Sequence, residues 1–497
     1  MSKNFFIFLL LNFFVVGNLF AQHRGDNWAI SDSIMLSFSQ TGVTVSNSVL
    51  HSSDSVFNSI VEGMATISDE TGQLDFYTNG ATVWNSNHQM MTNGDGLQCN
   101  FSTTNGVVIV PYPDHDSLYY IFYINWPLTA GNSDKGFSYS LVNMYLDNGL
   151  GGIVNAEKNI SLILGQTLTE KVCAVKHGNG RDWWIVGHDL SNNFFEYLVT
   201  PNGIEGPFWN SIGLNQEGYY EGEICFSPQG NKLAMVNGFS VEVFDFDRCT
   251  GALSNEIILD SVLYSNSYLP DYYGGAFSPD ESKFYVSCND QINYGGLYQF
   301  NLSNSNPHAT KTLIWGGIVS AGYGFAQMEL APDDNIYLVI VPFFPDSIPD
   351  TSQLNLSIIE SPNSLGTSCD LILFSLYLNG HRLTLGLPNM PNYNLGALGG
   401  SACDTLTSIQ NKNLKTKNIV SIYPNPSSTT INISSSNLSG KYSLKIYNLL
   451  GQQVKQQEID FSFEGSSKVN IESLASGYYQ LMLVNGSNVV SKRFVKE

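Results

Sequence analysis

The chain has 497 residues, more than one ordinary domain needs and enough for a large core. Only 13% of its residues are charged while 12% are aromatic and Gly totals 45, a balance that suits many short strands joined by turns rather than helices. A formal net charge of −21 argues against nucleic acid or an anionic membrane surface as a partner.

Residues 1–21 read as a signal peptide. Lys3 gives a positive start, Phe5 to Val16 is an apolar run broken only by Asn12, and cleavage is expected between Ala21 and Gln22. No other stretch approaches the ~20 apolar residues of a membrane span, so no transmembrane segment is expected in the mature chain.

Residues 22–404 carry an internal repeat. The sharpest copies are F-S-P-D-E-S-K-F-Y-V-S from Phe277, F-S-P-Q-G-N-K-L-A-M-V from Phe226 and L-A-P-D-D-N-I-Y-L-V from Leu330, with looser ones from Ile67, Val110 and Lys176. Each reads as a strand end, a tight polar turn and a new strand: Pro presets φ, and Asp or Ser bonds the backbone just ahead. The copies recur about every fifty residues, the size of one four-stranded propeller blade. Further strand signals start at Phe137, Phe195, Val241, Leu297 and Leu354. Six blades are visible. The ends near Trp28 and Leu371 each read as part of a blade, and joining them would close a ring of seven. The expected fold is all-β: a β-propeller of about seven blades, with six or eight as the range and a large β-sandwich as the alternative. A sandwich does not predict the spacing.

Residues 405–418 contain three Lys and no acid and read as a linker. Residues 419–497 alternate over six stretches between Val420 and Phe494, with turns at Pro424, Pro426, Gly440, Gly451, Gly477 and Gly486, and read as a small β-sandwich. Residues 23–404 hold 11 Lys and Arg against 38 Asp and Glu, whereas 419–497 hold seven against five, so the two units differ in charge as well as in pattern.

Candidate chemistry is sparse. Paired carboxylates occur at Asp114 and Asp116, Asp245 and Asp247, and Asp333 and Asp334. Calcium favours such groups, but no D-x-D-x-D-G loop is present, and turn capping by Asp is the stronger reading. His177 and His188 bracket the hairpin G-N-G-R-D-W-W and could face each other across it, without a signposted third ligand. Trp183 and Trp184 take opposite faces of a strand, so one belongs to the core, and the other is either a contact ring or packed between blades. Seven Cys include no C-x-x-C; Cys369 and Cys403 are the expected pair, against the alternative that all seven are small buried residues. Asp-Ser/Thr-aliphatic triplets, such as Asp116-Ser117-Leu118 and Asp260-Ser261-Val262, resemble the O-glycosylation acceptor of Bacteroidota envelope proteins. No nucleophile elbow, Walker loop or dinucleotide fingerprint occurs in context, so no catalytic residue, metal or cofactor is assigned.

The tail motifs Y-P-N-P at 423–426, I-Y-N-L-L-G-Q at 446–452, L-A-S-G-Y-Y at 474–479 and S-K-R-F-V-K at 491–496 resemble the C-terminal sorting domain (type A) of proteins exported by the type IX secretion system of Bacteroidota. The resemblance implies that Tyr423, Pro424, Asn425, Pro426, Gly451, Gly477, Lys492 and Arg493 belong to the sorting signal and that the secretion machinery is a partner. It also implies that the tail is removed and the cargo released or held at the cell surface. Residues 23–404 resemble a propeller family often fused to this tail, on F-Y-T-N-G-A-T-V-W-N at 76–85, V-K-H-G-N-G-R-D-W-W-I-V at 175–186 and L-G-L-P-N-M at 385–390; that family supplies no known activity. Two functions stay open: a non-enzymatic propeller binding an extracellular glycan or protein, and a secreted hydrolase or lyase with its site at the channel mouth.

Overall fold

A computed structural model describes residues 23–51, 61–125, 135–216, 218–261, 271–289, 296–316, 323–342, 353–404, 420–435, 440–448, 452–461, 466–485 and 488–497. The expected signal peptide with its Ala21–Gln22 junction, Gly451 and Gly486, and the linker at 405–418 lie outside these residues. The chain divides into two compact units, Met1–Thr405 and Leu406–Glu497.

The described residues of the first unit form seven antiparallel sheets, all built from consecutive strands. The first holds Asn27–Ile30, Ile34–Ser39 and Gly42–Asn47, and the second Ala65–Ser68, Leu74–Thr78 and Val83–Asn85. The third holds Val107–Pro111, Leu118–Asn125 and Gly136–Asn143, whose outer edge pairs with both Gly152–Ile153 and Ile160–Leu164. The remaining four have four strands each, and their inner strands are Leu168–Lys176, Ile224–Phe226, Tyr272–Phe277 and Tyr323–Leu330. Each inner strand packs beside the next around a centre, from Asn27–Ile30 to Tyr323–Leu330. This is a β-propeller.

All six repeat copies fall on the hairpin between the first and second strands of sheets two to seven. At Phe277 the turn chemistry is explicit. Ser278 Oγ donates to Asp280 Oδ1 at 2.7 Å and accepts the Lys283 N–H at 2.9 Å. Asp280 Oδ1 also accepts from the Ser282 N–H at 3.0 Å and its hydroxyl at 2.6 Å. Asp69 caps its turn the same way through Thr71 and Gln73. One polar side chain thus satisfies the donors that a tight turn would leave unpaired.

Strands near the centre are covered on both faces by neighbouring sheets and are buried throughout, as in Tyr272–Phe277 and Trp183–Asp189. The outermost strand Gly203–Ser211 is mostly exposed. Aromatic residues fill the gaps between sheets, with Phe137 against Phe195 at 5.0 Å and Phe194 against Phe244 at 5.2 Å. Full burial of one such side chain contributes roughly 1.5–3 kcal/mol.

The ring does not close by a shared sheet, contrary to expectation. Leu371–Tyr377 pairs with Asn355–Ile359 as the outer strand of the seventh sheet, while the strand at Trp28 pairs with Ile34–Ser39 in the first. The leading segment holds three strands of its own, because G-V-T-V-S-N at 42–47 forms a short hairpin with the strand before it. Closure is by packing instead. Trp28 and Phe38 of the first sheet meet Tyr337 of the seventh at 5.9 and 5.5 Å, and Asn379 Nδ2 donates to Val45 O at 3.0 Å.

The second unit is a β-sandwich. One sheet holds Val420–Tyr423, Thr430–Ser435 and Ser466–Asn470; the other holds Gln453–Asp460, Lys441–Asn448, Gly477–Asn485 and Asn488–Lys496. Ile431, Ile433 and Val469 of the first interleave with Leu444, Ile446, Leu481, Leu483 and Phe494 of the second in one core.

Candidate functional site

The centre of the propeller is occupied by its own chain. Residues 378–404 leave the seventh sheet and run as a strap without regular secondary structure past the first five. Thr384 Oγ1 donates to Val61 O at 2.7 Å, and the Leu387 N–H donates to Gln327 Oε1 at 2.6 Å. Asn389 Nδ2 then bonds Val107 O at 3.0 Å and Val172 O at 2.7 Å, joining the third and fourth inner strands. Tyr393 OH reaches Ile109 O at 2.9 Å, and its ring meets Trp183 edge-on at 5.7 Å. Since Ile109 lies further along its strand than Val107, the strap advances through the channel toward the mouth that carries the repeated turns. There Arg248 Nη2 donates to Gly396 O at 2.7 Å, and Cys403 forms a disulfide with Cys249.

The strap sequence explains its form. Pro388 and Pro391 lack the N–H a ladder needs, so Asn and Tyr side chains supply the bonds. Gly386 passes so close to the segment leading into the second sheet that a Cβ there would sit 2.5 Å from Glu62 Cα.

Beside Met390–Leu395, the strap leaves a cavity of about 260 Å³ at the turn-side mouth. Its other walls are Cys173–Val175, Glu223–Pro228, Gly275–Phe277 and Met328–Pro332, with Trp28 and Asp26 at one side. Gly274 lets the inner strands of the sixth and seventh sheets close up here: a Cβ on it would meet Ala326 O at 2.5 Å. Among the described residues, the wall holds no Lys, Arg or His.

Two carboxyls dominate that cavity. Glu223 is buried, and its Oε2 accepts the Gly275 N–H at 2.8 Å. Burial nevertheless pushes its pKa up to about 8, against the pull of the Gly275 and Met328 N–H groups. Burial, followed by the nearby Glu223 charge, raises Glu329 well above the carboxylate range. Cys173 and Cys225 share the wall, and burial raises both thiols far from reactivity.

The opposite mouth is also acidic. Burial, then the Glu170 charge, pushes Glu62 up to about 8, and burial with Glu221 raises Asp271 to about 6. Lys171 sits fully buried among them, donates to Tyr220 O at 3.0 Å and is lowered by burial to about 8. None of Glu62, Glu170, Glu223 and Glu329 stood out in sequence: they lie far apart along the chain, and only closure of the ring brings them to the axis.

The sequence-selected groups fall elsewhere. Asp245 pairs with Lys232 at 2.6 Å and with Asn255, and Asp247 accepts from the Cys249 N–H at 2.9 Å: both serve strand ends and turns. Asp114 pairs with Arg181 at 3.0 Å, and Asp333 accepts the Asn335 N–H at 3.2 Å. Among the described residues, no three His, Cys, Asp or Glu side chains come together as a metal site. His177 and His188 do not face each other, because the pairing of Leu168–Lys176 with Trp183–Asp189 puts them at opposite ends of that hairpin. His177 Nε2 lies 3.0 Å from Cys249 O, while His188 is buried against Phe194 and its pKa is lowered by burial to about 4. Both tryptophans pack: Trp183 against Tyr393, and Trp184 against Phe246 with its Nε1 donating to Arg248 O at 3.0 Å. Cys369 does not pair with Cys403. It is a buried free thiol beside the seventh sheet, and Cys249 is the partner because the strap delivers Cys403 to the fifth sheet. Ser117 is half-buried and Ser261 exposed.

In the tail, Asn425 Oδ1 accepts the Val495 N–H at 2.8 Å, the Ser427 N–H donates to Val495 O at 3.0 Å, and the Glu497 N–H returns to Ser427 O at 3.1 Å. The Y-P-N-P segment therefore fastens the last strand. Tyr423, Pro424 and Pro426 are exposed, as are Lys492 and Arg493. Gly477 opens its strand at φ +154° with open space around it, so backbone conformation rather than crowding favours glycine there.

Residues 421–497 match the secretion system C-terminal sorting domain family. No curated protein matches the chain. Among solved structures, a Lactobacillus plantarum protein aligns over 73% of this chain and 97% of its own, at 12% identity and TM-score 0.41. The β-propeller domain of a Myceliophteria thermophila protein aligns over 65% and 97%, at 10% and 0.35. The periplasmic gluconolactonase of Pseudomonas aeruginosa aligns over 81% and 96%, at 11% and 0.38. Likeness at this level assigns no activity.

Proposed function

We propose that this protein is cargo of the type IX secretion machinery, which reads the 421–497 tail, and that the propeller works outside the cell, released or surface-held, as a non-enzymatic module binding an extracellular glycan or protein. The match of the tail to a sorting domain supports the export half. The strap supports the binding half: it fills the channel and leaves a cavity at a mouth built from turns, with Glu223 held by a backbone N–H. A glycan array and a panel of glycoside, ester and lactone substrates, both run on the exported protein, test this. Retention of a glycan or protein without turnover is expected; turnover abolished by E329Q refutes it.

One observation favours the second reading, a secreted hydrolase or lyase. Glu223 and Glu329 share a cavity, and both hold protons near neutral pH, as a general acid must. In that case E223Q and E329Q would each remove turnover while leaving the fold intact.

A further inference from the structure

We propose that the turn-side cavity takes a small organic cation bearing a primary ammonium group. The inference rests on the binding reading above and names the ligand class of the same site. The first observation is space. About 260 Å³ lies between the strap and four inner strands, open to solvent at the mouth, roughly the share of nine water molecules at ~30 Å³ each. A short amine, free or at the end of a protein side chain, fits this volume.

The second observation is charge. Glu223 and Glu329 lie in the wall with Asp26 and Asp334 nearer the rim, and among the described residues no Lys, Arg or His lines the cavity. At the rim, Asp26 Oδ2 lies 2.6 Å from His23 Nδ1, on its own loop. The cavity is therefore one-signed. Burial strips hydration from the charged form of its inner carboxyls, and no cation in the lining offsets that loss. An entering ammonium supplies that partner: the carboxyls release protons to solvent, and the cation gains charge-assisted hydrogen bonds. The third observation is the apolar lining, where Phe226, Phe277, Trp28 and Tyr393 surround the polar groups. Such a wall suits the methylene stem of an amine, and a ring face attracts the ammonium itself.

A neutral sugar is the competitor, since protonated carboxyls would donate to its hydroxyls. Thermal shift and calorimetry on the full chain separate the two with putrescine, its uncharged isostere 1,4-butanediol, and glucose as probes. Putrescine should raise Tm progressively with concentration, butanediol should not, and E329Q should weaken putrescine binding at least tenfold. Should E223Q fail to fold, E329Q and the butanediol comparison still decide. No shift with putrescine at 10 mM, an equal shift with butanediol, or unchanged affinity in E329Q overturns the inference. Glucose bound without putrescine sinks the cation and leaves the binding reading standing. Turnover of a glycoside or lactone sinks the binding reading itself.

Discussion

Cys249 and Cys403 stand 154 residues apart in sequence and are joined by a disulfide that pins the end of the strap to the fifth sheet. A cross-link over so long a loop restricts the unfolded chain strongly, by about 5 kcal/mol in the loop-entropy model. We expect C403S to lower the unfolding free energy from guanidinium titration by a substantial part of that amount. Loss of the strap end should also expose the cavity wall at Leu395, raising dye binding before global unfolding. Non-reducing peptide mapping that finds Cys403 joined to Cys369, or reduced in the exported protein, would contradict the assignment.

Asn389 is the strap's central anchor. Its side chain donates to Val107 O and Val172 O on two different sheets, both buried. Asn389→Ala removes this donor from both carbonyls, and a buried carbonyl left unpaired costs about 1–3 kcal/mol. We expect a loss of ~2–4 kcal/mol from chemical denaturation. Asn389→Asp should be at least as harmful, because a carboxylate can only accept. If Asn389→Asp proves neutral, the bonds as described are wrong.

The repeat was legible because turn chemistry is local. Asp280, Ser278 and Asp69 bond within a few residues, so the sequence carries their geometry. The packed Trp183 and Trp184 were only half legible, since alternation shows that they diverge but not that neighbouring sheets cover both. The strap was not legible. Its bonds reach from Asn389 to Val107 and from Tyr393 to Ile109, across more than 280 residues, and no periodicity marks such contacts. The acid pair at the axis was hidden for the same reason: Glu223 and Glu329 sit on different sheets and meet only in the closed ring. The tail strand Gln453–Asp460 was missed because its residues are mostly polar and exposed, so it lacks the apolar alternation that revealed the others.

The buried carboxyls set a pH trend. Burial raises Glu62, Glu196 and Glu223 to about 8, well above their usual value of 4.5. Between those limits the folded protein holds protons that the unfolded chain has lost, so stability falls as pH rises. His188 opposes this below its usual 6.5, because its folded pKa is lowered to about 4 and the unfolded chain protonates first. Lys171 and Lys176, lowered to about 8, act mainly above that pH. The window from pH 6.5 to 8 therefore belongs to the glutamates. We expect stability to drop across it by roughly 1–2 kcal/mol for each carboxyl, and E223Q to remove one share. A midpoint that rises over that window would count against protonated carboxyls at the axis.

The last prediction concerns maturation. We expect the exported protein to be cut between Asp404 and Val420, after Cys403 and before the first tail strand. The two compact units part at Thr405, and the tail core needs no residue of the propeller, since Ile431, Leu444, Leu481 and Phe494 pack on one another. A cut there would leave the strap in place, because Cys403 lies inside the propeller unit and is bonded to Cys249. The tail itself depends on its end: Asn425 and Ser427 hold the strand that carries Lys492 and Arg493. Asn425→Ala should loosen that strand by about 1 kcal/mol and lower the exported fraction, whereas deletion of 419–497 should leave a folded propeller in the periplasm. Fractionation with intact-mass analysis reads all three. A deletion variant that still reaches the medium defeats the export claim, and an exported protein whose mass includes Val420 onward defeats the cut.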